Sequence, residues 1–120
     1  MAKRKIKLGN KQKAYTSALR STYKQNKYIF CEGPRCFCAV GLALKVNGYK
    51  PTPNSSKKGY YFLQKNSHHC YNICDIESLG INITEVGFEK IIFLNDNGSS
   101  FKEIAIAIEE NPNFYFKSSI

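Results

Sequence analysis

An α+β single domain, mainly helical, with about four helices and a short β-hairpin-like piece, is the fold this sequence predicts. Three observations carry that expectation. The chain has 120 residues, enough for one hydrophobic core and too few for a second. Four segments read as helices by apolar spacing or apolar length, and two short aromatic-rich runs bounded by Gly, Pro or Lys read as strands. Residues 1–10 are expected to form a flexible basic arm and residues 11–120 the globular domain.

The elements follow in order. Gly9-Asn10 favours a turn that closes the arm. Between Lys11 and Gln25, Tyr15, Ala18, Leu19, Thr22 and Tyr23 recur at helical spacing, leaving Lys11, Lys13, Arg20 and Lys24 on the polar side of a first helix. Tyr28–Cys31 is short, apolar and strand-favouring, and Glu32-Gly33-Pro34 breaks it. Residues 36–46 (CFCAVGLALKV) are almost wholly apolar and end at Asn47-Gly48, which predicts a buried central helix with a C-terminal cap. Pro51, Pro53, Asn54, Ser55 and Ser56 predict an exposed loop over 49–58, with Lys57-Lys58 facing a ligand. Tyr60–Leu63 is expected to pair with Tyr28–Cys31, and His68–Cys74 to be a short helical turn or irregular. Thr84 or Asn82 caps a helix that reaches Leu94, buries Val86, Ile91, Phe93 and Leu94, and stops at Asn97-Gly98. The last helix starts at Ser99 or Ser100 with the capping box Ser100-x-x-Glu103. Its buried stripe is Phe101, Ile104, Ala105 and Ile108, and it ends by Asn111-Pro112.

The formal charge of +9 is unevenly placed: residues 1–65 carry fifteen Lys/Arg against Glu32 alone, and residues 66–120 carry three Lys against eight acids. A half-chain of that sign attracts nucleotides, nucleic acid or acidic protein surfaces, and it argues against a mimic of nucleic acid. The competing reading is that the Lys side chains lie on solvated faces and serve solubility. A DNA-reading helix-turn-helix around Asn95–Gly98 is electrostatically unfavourable, because its second helix would present Glu103, Glu109 and Glu110 with only Lys102. No apolar run approaches the roughly 20 residues of a membrane span, and MAKRKIKLGNKQK lacks the apolar stretch of a secretory signal. Five cysteines, an odd number, fit reduced thiols in the cytoplasm, so no membrane partner is expected.

Cysteine and histidine raise two chemical alternatives. Cys36, Cys38, Cys70 and Cys74 form a candidate metal shell, but C-x4-C-x-C and H-H-C-x3-C are poor zinc spacings, and core thiols without a cofactor are the expectation. Cys38 near a helix N-terminus would have its pKa lowered by the helix dipole. Cys38, then His68 or His69, then Asn95 or Asp96 is also the chain order of nucleophile, base and orienting residue in papain-like enzymes. The catalytic alternative is therefore Cys38, His69 and Asp96, although three common residue types in order do not establish a triad.

Cys38–Leu44 (CAVGLAL), then Leu94–Ile104 (LNDNGSSFKEI), with Leu19-Arg20-Ser21, Tyr23 and Gln25 upstream, resemble a broad set of short bacterial and phage proteins. In that set Ala39 is often a second Cys, and the loop carrying His68-His69 has no counterpart. The resemblance implies a small accessory protein, often phage-borne, that counters host defence. An anti-defence protein in the host cytoplasm that sequesters an anionic nucleotide immune signal is the preferred expectation. The alternatives are an inhibitor that binds a host defence protein directly and a Cys-dependent enzyme. Arg20, Tyr23, Lys24, Lys27, Asn95 and Asp96 are the candidate ligand-binding residues, cations for phosphate and a ring for base stacking. Nucleic acid would meet residues 1–65. Asn97-Gly98 supplies the turn and Ser100 the cap, so Asn95-Asp96 is left for backbone donors of the 36–46 helix or for ligand contact.

Overall fold

The computed structural model describes residues 5–27, 30–33, 35–56, 60–70 and 75–120. They form an α+β domain with five helices and two three-stranded sheets. In chain order these are α1 (Asn10–Leu19), β1 (Lys24–Gln25), β2 (Cys31–Gly33), β3 (Cys36–Phe37), α2 (Ala39–Val46), β4 (Lys50–Pro53), β5 (Tyr61–Lys65) and β6 (His68–Cys70). A 3-10 turn (Ile76–Leu79) leads to α3 (Glu85–Asp96), α4 (Phe101–Glu110) and α5 (Pro112–Tyr115).

Helix α2 is the centre of the domain. Residues 39–44 are all buried, and the helix packs against α1, α3 and β5. Gly41 lets it approach the backbone of Phe30: a Cβ there would lie 1.8 Å from the Phe30 carbonyl oxygen, a distance no side chain tolerates. Tyr15 of α1 donates to the Ala39 carbonyl at 2.8 Å, so a fully buried hydroxyl is satisfied on the same helix. Helices α3 and α4 begin as expected. Thr84 accepts from Gly87 N–H, and Ser100 and Glu103 exchange capping-box bonds. Phe101, Ile104, Ala105 and Ile108 are buried.

The differences from the sequence expectation have local causes. The first helix stops at Leu19 rather than Gln25. The Arg20 and Ser21 amides fold back onto α1 carbonyls, and residues 24–25 join a sheet as β1. Residues 36–37 are strand β3, not helix, because Cys38 is the N-cap of α2. Cys31–Gly33 forms a strand where a break was expected, and Tyr28-Ile29 lies outside the described residues, as do Lys57-Lys58 and Cys74. The expected loop at 49–58 contains β4. Pro51 and Pro53 alternate with Thr52 and Asn54, the Asn54 amide donates to Tyr60 O at 2.7 Å, and β4 is an edge strand, where the missing proline N–H groups cost nothing. Strand β5 pairs with β4 and β6 rather than with the segment ending at Cys31, and His68–Cys70 is a strand rather than a helical turn. Val86 and Phe93, expected inside, are 55% and 57% exposed, while Ile91 is buried on the opposite face of α3. Pro112 opens a further helical turn, α5, instead of ending all helix.

Residues 6–9 of the expected arm run beside the C-terminus. Ile6 N–H donates to Asn113, Ser119 donates to the Lys7 carbonyl, and Ile6 and Leu8 pack on the core. Fully buried Gln12 ties the two ends together, donating to Ile81 O and Ser118 O and accepting from Gly9 and Ile120.

Candidate functional site

Asn95 and Gln25 form a side-chain hub at the end of α3. Asn95 Oδ1 accepts from Ala39 N–H at the start of α2 (3.0 Å) and from Gln25 Nε2 (2.9 Å); its Nδ2 donates to Asn26 O (2.9 Å) and Asp96 Oδ1 (3.2 Å). Gln25 Nε2 also donates to Ser99 O, and Gln25 Oε1 accepts from Phe101 N–H, both at 2.8 Å. Two carboxamides thus satisfy amide groups at the N-termini of two helices and lock β1 to the α3–α4 turn. Asn95 does serve a backbone donor of the central helix, and Gln25, which carried no such expectation, is its partner.

Cys38, Asn95 and Asp96 line a cavity of about 100 Å³ together with Phe30, Ala39, Val40 and Ile92. Cys38 is 6% exposed and its sulfur accepts from Gly41 N–H at 3.4 Å. Burial pushes its thiol up to about 11, backbone N–H groups pull the other way, and Asp96 pushes it further up. The expected depression by the helix dipole is therefore overturned, because desolvation outweighs it. His69 does not line this cavity; it stacks on Phe62 at 5.2 Å in the second sheet, with His68 exposed beside it. Cys36 is on β3 and Cys70 on β6, and among the described residues no group of three His, Cys, Asp or Glu side chains is placed to hold a metal.

The cationic candidates divide. Arg20 forms a salt bridge with Glu109 of α4, which raises its pKa further, so its fork already holds a carboxylate. Lys24 is exposed on β1. Tyr23 packs edge-on against Phe37 (5.6 Å), and its ring is approached by Arg35 at 4.5 Å and Lys45 at 5.4 Å, both within cation–π range. Arg35 also donates to Thr22 Oγ1 (3.0 Å), which orients its guanidinium. Among the described residues neither Arg35 nor Lys45 has a carboxylate partner. Sequence reasoning missed both. Arg35 reaches Tyr23 through the β1–β3 pairing, in which Lys24 lies opposite Cys36 and Lys24 N–H donates to Arg35 O, and Lys45 reaches it from the last turn of α2.

At the end of β1 and just beyond it, Gln25, Asn26 and Lys27, with Asn95, Gly98 and Ser99, line a second cavity of about 190 Å³. Of the expected ligand residues, the structure brings Lys27 and Asn95 together here, and Asn95 and Asp96 together at the first cavity. No family model, curated protein or solved structure matches the chain, so the site stands on its own geometry.

Proposed function

We propose that the chain is a non-enzymatic accessory binding protein that holds a phosphate-bearing ligand, a nucleotide, on the strip running from Tyr23 to Lys27. In the setting that the resemblance implies, it sequesters an anionic immune signal in the host cytoplasm. The observation that carries this reading is the convergence of Arg35 and Lys45 on Tyr23 with no carboxylate partner for either among the described residues. An Arg fork fixed by a hydroxyl and a Lys point charge, each close to the one Tyr23 ring, are the chemical complement of phosphate groups. Exposed Lys24 on β1 and Lys27 just beyond it add positive charge beside Tyr23. The free thiols of Cys31, Cys36, Cys38 and Cys70 suit a reducing compartment, and among the described residues no helix is long and apolar enough to cross a membrane.

A Cys38-dependent enzyme is the weaker reading, since a buried thiol with a raised pKa supplies little thiolate near neutral pH. Titration of inorganic pyrophosphate into ¹⁵N-labelled protein tests the preferred one. Saturable amide shifts centred on residues 23–27, 35 and 45 are expected. Weak, non-saturating shifts spread over every lysine would contradict it and return the Lys residues to a role in solubility.

A further inference from the structure

The outer face of α3 is used neither by the core nor by the phosphate site. Val86, Ile92 and Phe93 are apolar and exposed there. At about 100° per residue, Val86, Glu89 and Phe93 fall on one stripe of the helix, with Glu85, Ile92 and Asp96 along its edge. Ile92 and Phe93, together with Glu89, Asp96 and Asn97, line an open groove of about 460 Å³. Scattered apolar side chains at a surface need no explanation, whereas a cluster on one face marks an association site. The charge of this face is the reverse of the chain's: α3 carries Glu85, Glu89 and Asp96 against Lys90 alone, in a molecule of net charge +9. Lys90 Nζ lies over the Phe93 ring at 5.3 Å, so the ring already accepts a cation.

The face therefore suits an occupant that brings ammonium groups on apolar stems, which is what lysine side chains offer. Two α3 helices stacked on each other do not provide it, because a two-fold pairing centred on the stripe sets Glu89 beside Glu89, and like charges in contact oppose association. The basic complement lies next door on the same molecule. Lys24 and Lys27 are exposed. Lys27 shares one cavity with Asn95, Asn95 shares another with Ile92 and Asp96, and those two line the groove with Glu89 and Phe93. A basic patch beside an acid-rimmed apolar patch is self-complementary: about a two-fold axis each patch of one copy meets the other patch of its partner, and the pair closes.

We propose that the outer face of α3 is a self-association surface, on which Lys24 and Lys27 of a second copy of this chain lie against Glu89 and Phe93, reciprocally. The inference goes beyond the phosphate-binding reading and does not depend on it, since Arg35 and Lys45 take no part. The net charge of +9 repels a second copy at long range, and α3 is only about 18 Å long. The dimer is accordingly of the weak, reversible class that buries less than about 1,200 Å².

Sedimentation velocity tests this at about 0.15 M salt, where charges more than about 8 Å apart are screened, over a concentration series reaching about 1 mM. The mean mass of the wild-type protein should climb from 13.7 kDa towards twice that value. Phe93→Ser, Glu89→Lys and Lys27→Glu, all at exposed positions, should each weaken association by about tenfold or more, the equivalent of about 1.4 kcal/mol. The double variant Glu89→Lys/Lys27→Glu exchanges the two signs and should recover most of the loss. A constant mass of 13.7 kDa across the series overturns the proposal. A dimer that survives Phe93→Ser overturns the assignment to α3. Charge reversals that leave the dimer unchanged, or a double variant that recovers nothing, overturn the pairing with Lys24 and Lys27. Amide line broadening in the wild-type protein gives an answer that needs no variant to fold: broadening that grows with concentration at residues 24–27 and 85–97 is expected, and broadening confined to other residues overturns the surface.

Discussion

Asn95 and Gln25 show how much single side chains do in a domain of this size. Each connects segments about seventy residues apart in sequence, and together they hold the starts of α2 and α4. Removing either leaves buried donors or acceptors unpaired, so Asn95→Ala and Gln25→Ala should each destabilise by about 2–4 kcal/mol in urea denaturation, more than one ordinary hydrogen bond. Because they share a bond, the double variant should fall short of additivity by about 0.5–3 kcal/mol. Strict additivity would mean that the two amides act separately. The surplus of polar chemistry at Asn95-Asp96 was legible in the sequence, because the turn and cap were already supplied by Asn97-Gly98 and Ser100. Gln25 was not, since nothing local in KQNK identifies partners at Asn95, Ser99 and Phe101.

Cys38 gives a prediction with a definite sign. Its folded pKa is raised from 9.0 to about 11 by burial, so between those values the unfolded chain has released a proton that the native state retains. The native state then binds more protons than the unfolded one, and stability must fall as pH rises through that window. Buried Tyr15, also raised, acts in the same direction above pH 10. The urea midpoint should therefore decline from pH 9 to 10.5 and decline less in Cys38→Ser, which keeps an N-cap acceptor but loses the thiol. A rising midpoint would contradict the burial of the thiol. The sequence placed Cys38 at the helix start, but the size of the desolvation is a property of the packed core and could not be read from it.

Among the elements, α3 divides most clearly into two faces. Ile91 is buried and Val86 and Phe93 face outward. Ile91→Ala should cost about 2–5 kcal/mol, whereas Val86→Ser and Phe93→Ser should stay within about 0.5 kcal/mol; thermal melts of the three variants separate the faces. A large loss in Phe93→Ser would place that ring in the core. Helices α3 and α4 were legible because Thr84, Ser100 and Glu103 mark their starts and Gly98, at φ +101°, marks the turn between them. Their orientation was only half legible: α4 has a clean apolar stripe, while α3 carries apolar residues on both sides and its inward face is decided by contact with α2 and α5. The small strands were the least legible. Runs of two or three residues carry no periodicity, and β4 contains two prolines that argue for a loop until its position at a sheet edge is known.

At the scale of the whole molecule, the sequence showed a basic first half and an acidic second half without showing where they meet. The fold uses one such meeting, the exposed Arg20–Glu109 pair between the end of α1 and α4, and gathers around Tyr23 both Arg35, through the pairing of β1 with β3, and Lys45, from α2. The central claim is that this second gathering is a phosphate site. Its most direct test is calorimetric titration of ATP into the wild-type protein and into the Arg35→Ala/Lys45→Ala double variant, each at low and at raised salt. Saturable binding that weakens with salt and falls by at least about tenfold in the double variant, the loss expected for two charge-assisted contacts, is the predicted result. Equal affinity in the two proteins, or no binding by the wild type, would contradict it.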